Sequence, residues 1–77
     1  MVFEKIRDVI SEQLNIEKDK ITESTRFTED IGADSLDIFQ IITELEDAFG
    51  MEFTNEDAAE IKTVGDAVER VKKATGA

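Results

Sequence analysis

The stretch Gly32-Ala33-Asp34-Ser35-Leu36-Asp37 decides how this chain is read. It follows a long irregular segment and opens the most apolar helical pattern in the sequence. Asp34 is placed as an N-cap. Asp37, three residues on, is placed to reach back as its partner in a capping box, although Asp is shorter than the usual Glu or Gln. Ser35 then falls on the first turn, its hydroxyl facing outward beside unpaired backbone N–H groups. A hydroxyl there can carry a bulky group without disturbing a core. It has no catalytic company: the chain has no His and no Cys, so the usual base for an activated serine is missing. A helix N-terminus attracts phosphate, but two flanking carboxylates repel it. The arrangement suits a serine that is modified by a basic partner drawn in by the acids.

Working forward, residues 35–49 read as a helix. At about 100° per residue, Ile38, Ile41, Ile42, Leu45, Ala48 and Phe49 fall within an arc of about 120°, which is the expected core face. Leu36 and Phe39 lie off that arc, and Ser35 falls between its edge and Phe39. Two large apolar side chains should therefore flank the serine on an exposed face, ringed by Asp34, Asp37, Glu46 and Asp47. An exposed apolar pair inside an acidic rim has the anatomy of a binding site. Gly50 supplies a left-handed ending, with Met51 packing back on the helix.

Working outward, residues 3–14 form another amphipathic helix, with Phe3, Ile6, Val9, Ile10 and Leu14 at helical spacing and Asn15 as its left-handed stop. Residues 15–33 have no sustained period. Ile16, Ile21, Phe27 and Ile31 read as pegs that pin this loop across the helices. Thr54 and Asp57 open a short third helix, with Ala58 and Ile61 facing inward; at about two turns it should be the most mobile element. Thr63 and Asp66 repeat the pattern for a fourth helix, with Val64, Ala67, Val68, Val71 and Ala74 inward. Lys72 and Lys73 sit in its last turn, and Gly76 ends it. The expectation is one all-α domain over residues 1–77: a small four-helix bundle of three longer helices and one short third helix, with a long loop between the first two.

Composition narrows the function further. A 77-residue chain buries only about 60–65% of its unfolded surface, so its core is thin. The net charge is −10, and residues 28–61 carry eleven acids and no Lys or Arg, so the whole imbalance surrounds Ser35. Such a field repels nucleic acid and anionic membrane and steers basic proteins in. With no Trp or Tyr, stacking on bases has little support. Absence of Cys fits a reducing compartment, and no run is long enough to span a bilayer. The expectation is a cytoplasmic monomer, with neither nucleic-acid binding nor membrane insertion. Asp30, Asp34 and Asp37 fail the spacing of a calcium loop, because Gly32 stands at position 3 and Ser35 at position 6. No metal ligand set and no catalytic residue is expected.

Gly32-Ala33-Asp34-Ser35-Leu36-Asp37, followed by Ile41, Ile42, Leu45, Glu46, Asp47 and Phe49, resembles the modification site and second helix of acyl carrier proteins. The likeness continues through Glu56-Asp57-Ala58 and Ile61-Lys62-Thr63-Val64-Gly65-Asp66-Ala67. The resemblance implies a 4′-phosphopantetheine arm on Ser35, donated by coenzyme A through a phosphopantetheinyl transferase (a holo-synthase). The arm would carry fatty acyl chains as thioesters to fatty-acid-synthesis enzymes with basic docking patches. It implies a recognition face of Asp34, Leu36, Asp37, Phe39, Glu46, Asp47 and Glu56. It further implies an acyl pocket lined by Phe27, Ile42, Leu45, Ala58, Ile61 and Ala67. The chain departs from the family at Gln40, where an acid is common, at Thr43, where Met often lies, at Phe39, which replaces a smaller aliphatic, and at Thr54, which replaces a frequent Pro. Alternatives are a specialised carrier for polyketide or aminoacyl cargo, a non-covalent acidic adaptor, and a phosphoserine switch. The adaptor gives Ser35 no role, and a switch would add phosphate beside two acids that repel it.

Overall fold

Three of the four α-helices among the described residues begin with the same device. In the computed structural model, which describes residues 2–76, α2 (Ser35–Phe49), α3 (Asn55–Glu60) and α4 (Val64–Thr75) each open on a reciprocal capping box. The pairs are Asp34 with Asp37, Thr54 with Asp57, and Thr63 with Asp66. Each box satisfies backbone N–H groups that a helix start leaves without partners. The first helix, α1, spans Val2–Leu14 and stops at Asn15, whose φ is 55°. There the Ser11 hydroxyl donates to the Ile16 carbonyl at 2.6 Å, and the Ile16 N–H donates to the Ser11 carbonyl at 3.2 Å. The stops of α2 and α4 are left-handed glycines, with Gly50 at φ 62° and Gly76 at φ 74°.

α1 packs on both α2 and α4, and the core lies among them. It is built from Ile6 and Ile10 of α1, Ile41 and Leu45 of α2, and Val64, Ala67, Val68 and Val71 of α4. Ile21, Phe27 and Ala33 enter it from the loop between α1 and α2, and Ile61 from the α3–α4 link. Of the four expected pegs, Ile21 and Phe27 are fully buried, whereas Ile16 and Ile31 pack partly against the core. Two positions differ from the helical reading: Ala48 and Ala74 are exposed. Both sit in the last turn of their helix at the edge of the apolar arc, where a methyl group is too short to reach the core.

The long loop is anchored to the start of α4. The Val64 N–H donates to the Thr25 carbonyl at 2.9 Å, and the Gly65 N–H to the Glu23 carbonyl at 2.7 Å. The Phe27 N–H donates to the Lys62 carbonyl at 3.0 Å, and Arg26 and Thr63 form an isolated antiparallel bridge. The Asp66 N–H donates to the Thr63 hydroxyl oxygen at 3.1 Å. Every N–H group of the first three α4 residues therefore has a partner, two of them from the loop. This close approach explains Gly65. A Cβ there would lie 2.9 Å from the Glu23 carbonyl oxygen, a backbone atom.

Gly65→Ala should therefore destabilise the protein by about 1–3 kcal/mol, the usual cost of overpacking, although Ala is the better helix former. Urea or thermal unfolding checks this. An unchanged or raised midpoint would show that the loop yields without cost.

Candidate functional site

The Asp34 box sets the site. The Asp37 N–H donates to Asp34 Oδ1 at 2.9 Å, and the Asp34 N–H donates to Asp37 Oδ2 at 3.2 Å. Both carboxylates are thus engaged with backbone, and neither is hydrogen-bonded to the Ser35 hydroxyl. Ser35 is the first residue of α2 and is exposed. Leu36 is 72% exposed and Phe39 is 66% exposed, the two large apolar side chains left in solvent among the described residues. The loop before α2 covers neither. Fixing the helix start at Asp34 fixes this phase, because Ile38, Ile41, Ile42 and Leu45 are then the side chains that turn inward.

The acids around the site are not equivalent. Arg26 reaches in from the loop and pairs with Glu29 at 2.7 Å and Asp30 at 3.1 Å, holding the Asp30 carboxyl below its ordinary range. Asp57 is also held low, first by the Thr54 N–H and then by Arg70, whose Nε lies 2.8 Å away. Glu46 is half-buried, and its Oε2 accepts the Phe53 N–H at 2.7 Å. Of the expected recognition residues, Asp34, Leu36, Phe39, Asp47 and Glu56 are exposed and Asp37 is half-exposed. Glu46 is instead committed to tying the connection after α2. Its sequence position, on the acidic side of the helix, gave no sign of that partner seven residues on. Arg70 and Phe53, not singled out by the helical pattern, meet across the same region, with the guanidinium 5.8 Å from the ring centroid.

The six residues expected around a cargo are divided. Phe27, Leu45, Ile61 and Ala67 belong to the contiguous core; Ile42 is buried beside it and Ala58 is half-buried. Phe27 and Ile61 also line an open groove of about 480 Å³ with Ile38, Thr28 and Thr63. The other four do not line that groove. Among the described residues, no group of three or more His, Cys, Asp or Glu side chains is placed to hold a metal ion. Also among them, no helix is long and apolar enough to cross a membrane.

The site is thus an exposed hydroxyl on the first turn of a capped helix, beside an exposed apolar pair. The family described as phosphopantetheine attachment site matches residues 4–71. A Mycobacterium tuberculosis chain assigned as an acyl carrier protein is 40% identical in sequence, with 95% of this chain and 97% of that one covered and a TM-score of 0.89. The acyl carrier protein from Enterococcus faecalis is 38% identical, with 95% and 92% covered and a TM-score of 0.81. The chain belongs to the acyl carrier protein family. It is a carrier and not an enzyme, and its cofactor is a covalently bound 4′-phosphopantetheine. It works with a phosphopantetheinyl transferase and with acyl-processing enzymes.

The structure separates acids by what they touch, and stability should follow. Leu36→Ala and Phe39→Ala should each change unfolding free energy by less than about 0.5 kcal/mol, as exposed positions do. Glu46→Ala should cost about 1–2 kcal/mol through the lost charged hydrogen bond, and Asp47→Ala close to nothing. Equal effects of Glu46→Ala and Asp47→Ala in urea unfolding would contradict the assignment.

Proposed function

We propose that this chain carries growing fatty acyl chains as thioesters on an arm attached to Ser35, and presents them to fatty-acid-synthesis enzymes that dock through basic patches. The observation that carries this reading is the exposed Ser35 hydroxyl at the start of α2, flanked by exposed Leu36 and Phe39. The residues fit the group: a tether at Ser35 displaces nothing from the core. When bound, the arm supplies the thiol that holds an acyl group as a thioester. Ser35 holds the arm, and the enzyme that loads it must bring the base, since this chain has no His or Cys.

Leu36 and Phe39 give partners an apolar anchor, and Asp34, Asp37, Asp47 and Glu56 supply the attraction that orients them. Exposed pairs of this kind are individually weak and are screened beyond about 8–10 Å at ordinary ionic strength. Docking is therefore fast, brief and salt-sensitive, which suits a carrier that visits several enzymes. The cargo shelters against Phe27, Ile42, Leu45, Ala58, Ile61 and Ala67, each buried methylene contributing roughly 0.8 kcal/mol. Likeness over nearly the whole length of two acyl carrier proteins supports acyl cargo over aminoacyl cargo.

The test is to load the chain with coenzyme A and a phosphopantetheinyl transferase, then supply a malonyl transferase and a fatty-acid condensing enzyme. Malonyl transfer and chain elongation are expected. Raising salt should lower transferase affinity mainly through the association rate. Leu36→Ala should slow loading by about tenfold with the fold intact. Refusal by the fatty-acid enzymes, with transfer by polyketide enzymes instead, would overturn the fatty-acid assignment; affinity that is flat with salt would overturn the steering.

A further inference from the structure

α3 is the least anchored element of the fold. It has six residues, too few to be stable alone, and it forms no extensive interface with any other helix. None of its residues is fully buried. Between α3 and α4 lies a groove of about 260 Å³, with Asp57 and Glu60 on one side and Asp66, Glu69, Arg70 and Lys73 on the other. One side chain bridges the two helices. Arg70 of α4 places Nε 2.8 Å from Asp57 Oδ2, Nη2 3.4 Å from the Glu52 carbonyl, and its guanidinium 5.8 Å from the Phe53 ring centroid. All three contacts fall on residues 52–57. That segment runs between a left-handed Gly50 and an extended Ile61, and it is also held by the Glu46 carboxylate on the Phe53 N–H and by the Phe53 ring, which packs against the core.

Leu45 and Ala67 are each no more than 2% exposed and line none of the grooves described above. A long apolar chain reaches them only if a covering element moves, and α3 has no fully buried residue to hold it. We infer that Arg70 is a positioning residue for cargo, a latch whose contacts with residues 52–57 hold α3 shut and set how readily a long acyl chain is sheltered. This rests on the carrier reading above. Arg suits the role because its planar fork meets a carboxylate, a carbonyl and a ring face together, which an ammonium does not. Moving α3 outward breaks the Asp57 contact, and moving it together with the segment that leads into it breaks the Glu52 and Phe53 contacts as well, so the latch opposes entry.

The test has two arms. In the first, amide hydrogen exchange is measured on the chain before loading. Arg70→Met should speed exchange over residues 52–60 by about five- to tenfold and leave α1 and the middle of α4 unchanged. Asp57→Asn keeps an acceptor for the Thr54 N–H and should do the same; Arg70→Lys should fall between. Lys73→Met removes the same charge from the same groove and should change nothing. In the second arm, loaded chains carry either an acetyl or a long saturated acyl thioester and are cleaved with hydroxylamine. Arg70→Met should slow cleavage of the long-chain thioester severalfold and leave the acetyl thioester unaffected. Uniform exchange across the chain, an equal effect of Lys73→Met, or equal change in both thioesters would overturn the latch. A chain that cannot be loaded at Ser35 overturns the carrier reading and the cargo half of this inference, while the exchange arm still decides whether Arg70 holds α3.

Discussion

The exchange of hydrogen bonds between Asp34 and Asp37 governs the presentation of everything else on α2. A helix with a fixed first residue has a fixed phase, and the phase decides which side chains enter the core. With Asp34 as N-cap, Ile41 and Leu45 turn inward while Leu36 and Phe39 stay in solvent beside Ser35. One residue of slippage would rotate the helix by about 100° and bury a different set. The same two carboxylates therefore act twice, as backbone acceptors that define the helix start and as negative charge beside the hydroxyl.

How much of this was legible depends on the distance in sequence over which an interaction acts. All three capping boxes, the bounds of α2, the left-handed stops at Asn15, Gly50 and Gly76, and the outward turn of Leu36 and Phe39 rest on residues three or four apart. Local periodicity reveals such pairs directly. The roof that Glu23 and Thr25 place over α4 spans some forty residues and uses carbonyl oxygens, which every residue type has. No side-chain pattern announces it. The spacing pattern for that reason carries no sign of why position 65 is a glycine. Ala48 and Ala74, expected inward and found exposed, show the converse limit: a spacing pattern gives direction but not reach.

Charge was legible in sum and not in detail. Eleven acids surround Ser35 in sequence, yet Arg26 and Arg70 reach in from outside that segment and neutralise Glu29, Asp30 and Asp57. Glu46 is spent on a backbone N–H. Among the described residues, the side chains of Glu44, Asp47, Glu52, Glu56 and Glu60 have no ion-pair or hydrogen-bond partner, and Asp34 and Asp37 meet only backbone N–H groups, so these seven carry charge that no cation offsets. The protein thus divides its carboxylates between those that hold a thin fold together and those left in solvent. α3 sits at that division, with Glu56 exposed and Asp57 paired with Arg70.

The account stands or falls on one atom, the Ser35 hydroxyl oxygen. After loading from coenzyme A, fragmentation mass spectrometry should place one 4′-phosphopantetheine increment on Ser35 and leave Ser11, Ser24 and the threonines bare. An increment on any other hydroxyl, or loading that persists in Ser35→Ala, would contradict it.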